Sequence, residues 1–432
     1  MPRYVSMGRV PKKRHTQFRA PDGGLYSEEV FGTRGFSGIA SILYHAHPPT
    51  QATDFAPAGA IRPEFAEDGP LRHRHWKTAA SQPGGDPITG RRVLMANPDV
   101  SLALCVPTAP MDYFYKNADG DDLLFVHKGT GRLETLFGTL SYGPGDYLVI
   151  PRGTIYRVVA DGTGQSAIGS RQSAVGTPGG QPQSPESGQS ATRTPGGHPQ
   201  SNPDCRLPTA DCRILVIESA SAIETPRRYR NEYGQLLEHS PYCERDIRVP
   251  ETLDTRQQAG AFEVRIKSRG ELTAYAYDFH PLDVVGWDGC VYPWALNIAD
   301  FEPITGRLHQ PPTVHQTFEG HNFVVCSFVP RMLDYHPEAV PVPYNHSNLE
   351  SDEVLYYCND KFGSRKGIEE GSVTLHPSGL PHGPQPGAVE ASLGKTCTEE
   401  LAVMVDTFRP LRVTRDALPL EDDTYPYSWK PR

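Results

Sequence analysis

The chain has 432 residues, a net charge of −9 and a pI near 6.0. That length accommodates two or three domains, and the acidic balance excludes nucleic-acid binding, which needs a basic face. No apolar run approaches the roughly 20 residues of a membrane-spanning helix, and residues 1–15 lack the apolar centre of a signal peptide.

Glycine (41) and proline (42) each make up nearly a tenth of the chain. So many helix breakers favour short strands joined by turns. The eight cysteines are scattered without a CxxC pair, as expected for reduced thiols in a cytoplasmic protein. Residues 1–60 are turn-rich, with a strand expected at 41–45. His45 and His47 form an HxH pair there, but Pro48 and Pro49 end the run and no carboxylate follows, so a structural role is expected. Short strands follow at 92–94, 100–106, 112–116, 122–127, 131–135 and 138–142, punctuated by turn signals such as 117–120. The run from Gly145 through Pro151 and Gly153 to Tyr156 resembles the second cupin motif, G(x)5PxG(x)2H, with tyrosine in the ligand position. Only His127 is available from the earlier half of such a motif, so this first sandwich is expected to be metal-free scaffold. Residues 162–209 are dominated by Gly, Ser, Gln, Pro and Thr and cannot bury a core, so they are expected to form a disordered insertion. A strand at 214–218 should rejoin the first sandwich. A second barrel is expected to begin near Phe262, which divides the chain into domains at 1–255 and 256–432.

The chemistry concentrates between residues 343 and 384. The spacing HxH(x)4E, common at cupin metal sites, becomes His346, Asn348 and Glu353, with asparagine replacing one histidine. Gly371, Pro377, Gly379 and His382 meet G(x)5PxG(x)2H in full. Two imidazoles and one carboxylate with open positions form the ligand set of a non-haem Fe(II) centre rather than a closed structural zinc site. Asp352 is the alternative carboxylate. It would point to the opposite strand face, and Glu353 heads the apolar alternation, so Glu353 is preferred. His376 shares its parity with His382 and is expected to line the same cavity. His309 lies in a proline-rich loop and is a candidate general base, and Tyr344 is a candidate hydrogen-bond donor to a bound molecule.

The segments 13–18, 35–38, 44–49, 285–289 and 374–384 together resemble the homogentisate 1,2-dioxygenase family in its compact bacterial form. The resemblance implies an all-β bicupin of two jelly-roll barrels with Fe(II) only in the C-terminal one. It implies cleavage of homogentisate by O2 to maleylacetoacetate, in tyrosine and phenylalanine catabolism, by a homotrimer or dimer of trimers. It places the iron ligands at His346, Glu353 and His382, the substrate-hydroxyl base at His309, and substrate contacts at Tyr344 and His376. Phe362 stands where better-studied members carry a substrate-binding tyrosine. Competing readings are a dioxygenase for another hydroxylated aromatic acid, a non-catalytic binding bicupin and a cupin sugar isomerase.

Overall fold

The computed structural model describes residues 3–161 and 212–430. The insertion expected at 162–209 lies outside the described residues. The only α-helix among the described residues is the five-residue Ala388–Ser392; none is long and apolar enough to cross a membrane.

Two seven-stranded sheets and one six-stranded sheet form most of the fold. The strands Val100–Cys105, Asp121–Lys128, Asp146–Ile150 and Arg213–Ser219 lie within one seven-stranded sheet. They are apolar on both faces, as strands enclosed between two layers must be. Alternation sorts their side chains. Leu124, Val126, Leu148 and Ile150 pack on Leu133, Leu140 and Val158 of the other seven-stranded sheet. Leu123, Phe125, Tyr147 and Val149 join Val325, Val354, Tyr356 and Val405 of the six-stranded sheet. The six-stranded sheet therefore has one face in the main core. Its other face carries Glu353, Leu355 and Tyr357 of the strand Asp352–Tyr357, together with Met404 and Cys326.

The expected pair of cupin barrels is not what the chain forms. Among the described residues no sheet closes; every strand order is open, with two free ends. The physical reason is long-range pairing at the edges. Ala259–Ser268, expected to open a second barrel, instead runs parallel to Phe114–Asn117 in the N-terminal sheet. Trp294–Asn297 pairs with Asp146–Ile150, and Arg412–Val413 pairs with Arg91–Ala96. Arg74–Lys77 extends the six-stranded sheet beside Ser372–His376. Each distant strand satisfies edge hydrogen bonds that closure would otherwise have to satisfy. Tyr156, in the ligand position of the first motif, is fully buried; its hydroxyl donates to Asp122 (2.6 Å) and accepts from Arg91 (2.9 Å).

Candidate metal centre

Three local features bring His346, Glu353 and His382 together. His346–Ser347 and Pro381–His382 form a two-residue antiparallel ladder in which His346 and His382 are directly paired. Glu353 enters from the adjoining six-stranded sheet, opposite His376 on one side and Asp406 on the other. Glycine allows the close approach: a Cβ on Gly383 would lie 2.6 Å from the Cα of Asn345. Gly379, at φ +80°, turns the chain between His376 and His382 and donates its amide to Asn348 O at 2.7 Å.

The candidate ligand atoms of the three residues lie within 4.8 Å of one another. Glu353 Oε2 is 3.5 Å from His346 Nε2, and Oε1 is 3.4 Å from His382 Nε2. Two ligand atoms about 2.1 Å from one ion and roughly at right angles to each other stand about 3 Å apart, so these separations suit a shared metal. The tautomer also fits. His382 Nδ1 donates to Leu380 O at 3.2 Å, which leaves Nε2 as a lone pair; that atom is buried and has no hydrogen-bond partner. A donor set of two imidazoles and a carboxylate, with an orphaned buried nitrogen aimed into it, can hold a divalent ion. Asp352 points away from the cluster, accepting from the amides of Ser378 and Leu411, each at 2.8 Å.

The surroundings set the charge of Glu353. Burial raises its proton affinity, yet the three imidazoles around it, those of His346, His376 and His382, hold it well below the usual carboxylate range. His376 is fully buried beneath the cluster. Its Nδ1 donates to Glu353 Oε1 at 2.8 Å, and its Nε2 accepts from the Tyr425 hydroxyl at 3.0 Å. Burial pushes His376 down to about 3, so it acts as a neutral brace. Asp406, beside Glu353, is raised well above its ordinary value by burial and then by the Glu353 charge.

His346 is a third exposed and marks the open side of the cluster. The Tyr344 ring lies 6.0 Å from it, and His309 Nε2 is 3.2 Å from the Tyr344 hydroxyl. Behind His309, Asp334 Oδ2 faces Nδ1 at 3.4 Å. Phe362 is set apart from this group, packed on Tyr357 and Phe328 at ring distances of 5.0 and 5.6 Å. Asp334, Tyr425 and Asp406 were not singled out by sequence reasoning. His73 was not either; its ring lies 5.5 Å from His376 and 6.0 Å from His382. Each comes from a segment distant in sequence, and no local pattern announces the pairing.

Residues 86–171 match the family described as homogentisate 1,2-dioxygenase N-terminal. A Saccharolobus solfataricus protein named "Putative dioxygenase" is 39% identical over 429 residues, which cover 99% of this chain and 98% of that protein. The homogentisate 1,2-dioxygenase of Rhodopseudomonas palustris is 26% identical over 98% of this chain and 90% of its own length. Among solved structures, a cupin 2 conserved barrel domain protein from Leptotrichia buccalis aligns at 9% identity with a TM-score of 0.30, over 81% of this chain and 100% of that one. That score is too low to carry an argument. Kinship and cluster together describe a dioxygenase-like, metal-associated enzyme. The chain belongs to the homogentisate 1,2-dioxygenase family, as a distant relative of the members that carry that name.

Proposed function

We propose that the protein is an Fe(II)-dependent dioxygenase that opens the ring of homogentisate with O2 to give maleylacetoacetate. The observation that carries this reading is the convergence of His346, Glu353 and His382 around the orphaned His382 Nε2, in a chain of this family. Iron held by His346, Glu353 and His382 would supply Lewis acidity and electron-transfer chemistry toward O2. The protein's own part is positioning and proton handling. With Nδ1 turned to Asp334, His309 Nε2 accepts from the Tyr344 hydroxyl; a substrate hydroxyl that took the place of that donor would give its proton to Nε2. Tyr344 donates a hydrogen bond at the same rim.

Phe362 supports a second reading. It offers no hydroxyl where the family resemblance places a substrate-binding tyrosine, which suits a different hydroquinone or hydroxylated aromatic acid. The assembly in this reading is a cytoplasmic homotrimer or dimer of trimers. The deciding experiment is oxygen uptake by Fe(II)-loaded protein given homogentisate, with the ultraviolet absorbance of the ring-opened product followed in parallel. Equimolar uptake and product are expected. No uptake by protein that retains iron would overturn the substrate and leave the second reading.

A further inference from the structure

A cavity of about 890 Å³ lies apart from the metal cluster and shares no residue with it. It opens between the strand Asp54–Ala60, the hairpin Ala259–Ser268 and Glu271–Phe279, and the body of the N-terminal sheet. Arg157 and Arg256 line it. Both end on a single carboxylate, Glu134, which is buried behind them. Arg157 Nη2 donates to Oε2 at 2.7 Å, and Arg256 Nη2 to Oε1 at 3.0 Å. Among the described residues, neither arginine forms an ion pair with any other acid. Arg132 Nε also donates to Oε1, at 2.9 Å, so Glu134 is shared among three arginines, and Arg157 Nη1 and Arg256 Nε and Nη1 make no hydrogen bond to it.

The other walls are aromatic and hydrogen-bonding. Phe114 lies under the Arg157 guanidinium at 5.0 Å. The His280 ring stands between Phe114 and Phe262, at 5.1 and 4.8 Å. His280 Nδ1 accepts from the amide of Leu282 at 3.0 Å, which puts the ring proton on Nε2 as a donor. Three acids border the cavity, and two are engaged. Glu263 Oε1 meets Arg265 Nε at 2.5 Å, and Asp54 accepts from the amide of Phe55 at 2.8 Å. Asp112 is exposed at the rim.

We propose that this cavity is a second ligand site, separate from the reaction centre, which binds a small aromatic carboxylate. Its carboxylate would meet the free donors of Arg157 and Arg256, bidentate geometry that guanidinium favours. Its ring would pack against Phe262. The volume falls within the roughly 300–1,000 Å³ of small-molecule pockets.

The test uses phenylacetate and acetate as probes, titrated calorimetrically into the full-length protein. Phenylacetate should bind, and more tightly than acetate. Binding should survive in His382→Ala, which damages only the metal cluster. It should weaken about tenfold or more in Arg256→Gln, the scale of one charge-assisted hydrogen bond. Ala261→Trp, at an exposed position lining the cavity, fills the space without disturbing Glu134 and should abolish binding while leaving ring-cleavage activity unchanged. Three results would overturn the site: no phenylacetate binding to the unaltered protein, binding lost in His382→Ala but kept in Ala261→Trp, or a change in assembly mass in Ala261→Trp. The last would assign the cavity to an interface between copies of the chain.

Discussion

Glu353 is held from three sides by imidazoles, and only two of them face the candidate metal position. The third, His376, fixes the carboxylate through Nδ1 while Tyr425 fixes His376 through Nε2. An outer partner of this kind orients the ligand and keeps its lone pair directed, and its loss typically lowers metal affinity by roughly 10–100-fold. His376→Gln should therefore retain the fold but lose its metal to a chelator at proportionally lower concentration, with Tyr425→Phe showing a smaller change in the same direction. Unchanged chelator competition in both variants would show that Glu353 needs no brace. His309 sits differently, between the Tyr344 hydroxyl and Asp334. If His309 is the proposed general base, His309→Gln should keep its metal and lose about 10²–10⁴ in turnover. Metal loss in that variant would instead make His309 a support for the site.

The strand Ala40–His45 is clasped between Ser27–Gly32 and Val284–Gly289, and the clasp is partly electrostatic. His45 is buried, with Nδ1 donating to Asp283 and Nε2 to Glu29, both at 2.9 Å. Burial lowers its proton affinity, but the two carboxylates overcome that and raise it to about 9. The folded value lies above the free value of about 6.5, so the stabilisation is complete below that pH and is lost as pH rises through about 9. The melting temperature of His45→Gln should fall well below that of the unaltered protein near neutrality, and the gap should narrow across that window. A gap independent of pH would mean the imidazole is not charged in the fold. His45 also marks where sequence reading stops. The HxH pair and its strand are visible locally, but Asp283 lies more than two hundred residues away, and no carboxylate close in sequence reveals it. The same holds around the metal cluster. Gly371 to His382 is legible because a turn glycine, a proline and a histidine at fixed spacing encode one local geometry. The choice of Glu353 over Asp352 follows from strand parity. Asp334 behind His309, and Tyr425 behind His376, depend on which distant segments pack together, and local patterns of polarity do not encode that.

At the scale of the molecule, strand identity was easier to read than strand partnership. Runs such as 122–127, 131–135 and 138–142 are strands in the fold with nearly the expected bounds. Apolar alternation and turn residues determine that much. They do not determine whether an edge pairs with its neighbour in sequence or with a strand far along the chain, and here the distant partner prevails. Val284–Gly289 lies between Val5–Gly8 and Ala40–His45. Ala259–Ser268 pairs with Phe114–Asn117, and Arg74–Lys77 with Ser372–His376. A division near residue 255 would break ladders in all three largest sheets and expose the apolar core shared by the sheet that holds Asp121–Lys128 and the six-stranded sheet. Removing Phe125, Tyr147, Val354 and Val405 from one another would forfeit about 1.5–3 kcal/mol for each side chain returned to water, against a net stability of only about 5–15 kcal/mol. The described fold should therefore unfold as one cooperative unit. Calorimetry and hydrogen exchange should report a single transition in which the Asp121–Lys128 and Asp352–Tyr357 strands lose protection together. Two resolved transitions, each confined to one half of the chain, would show that the exchanged strands add little and that each half carries its own core.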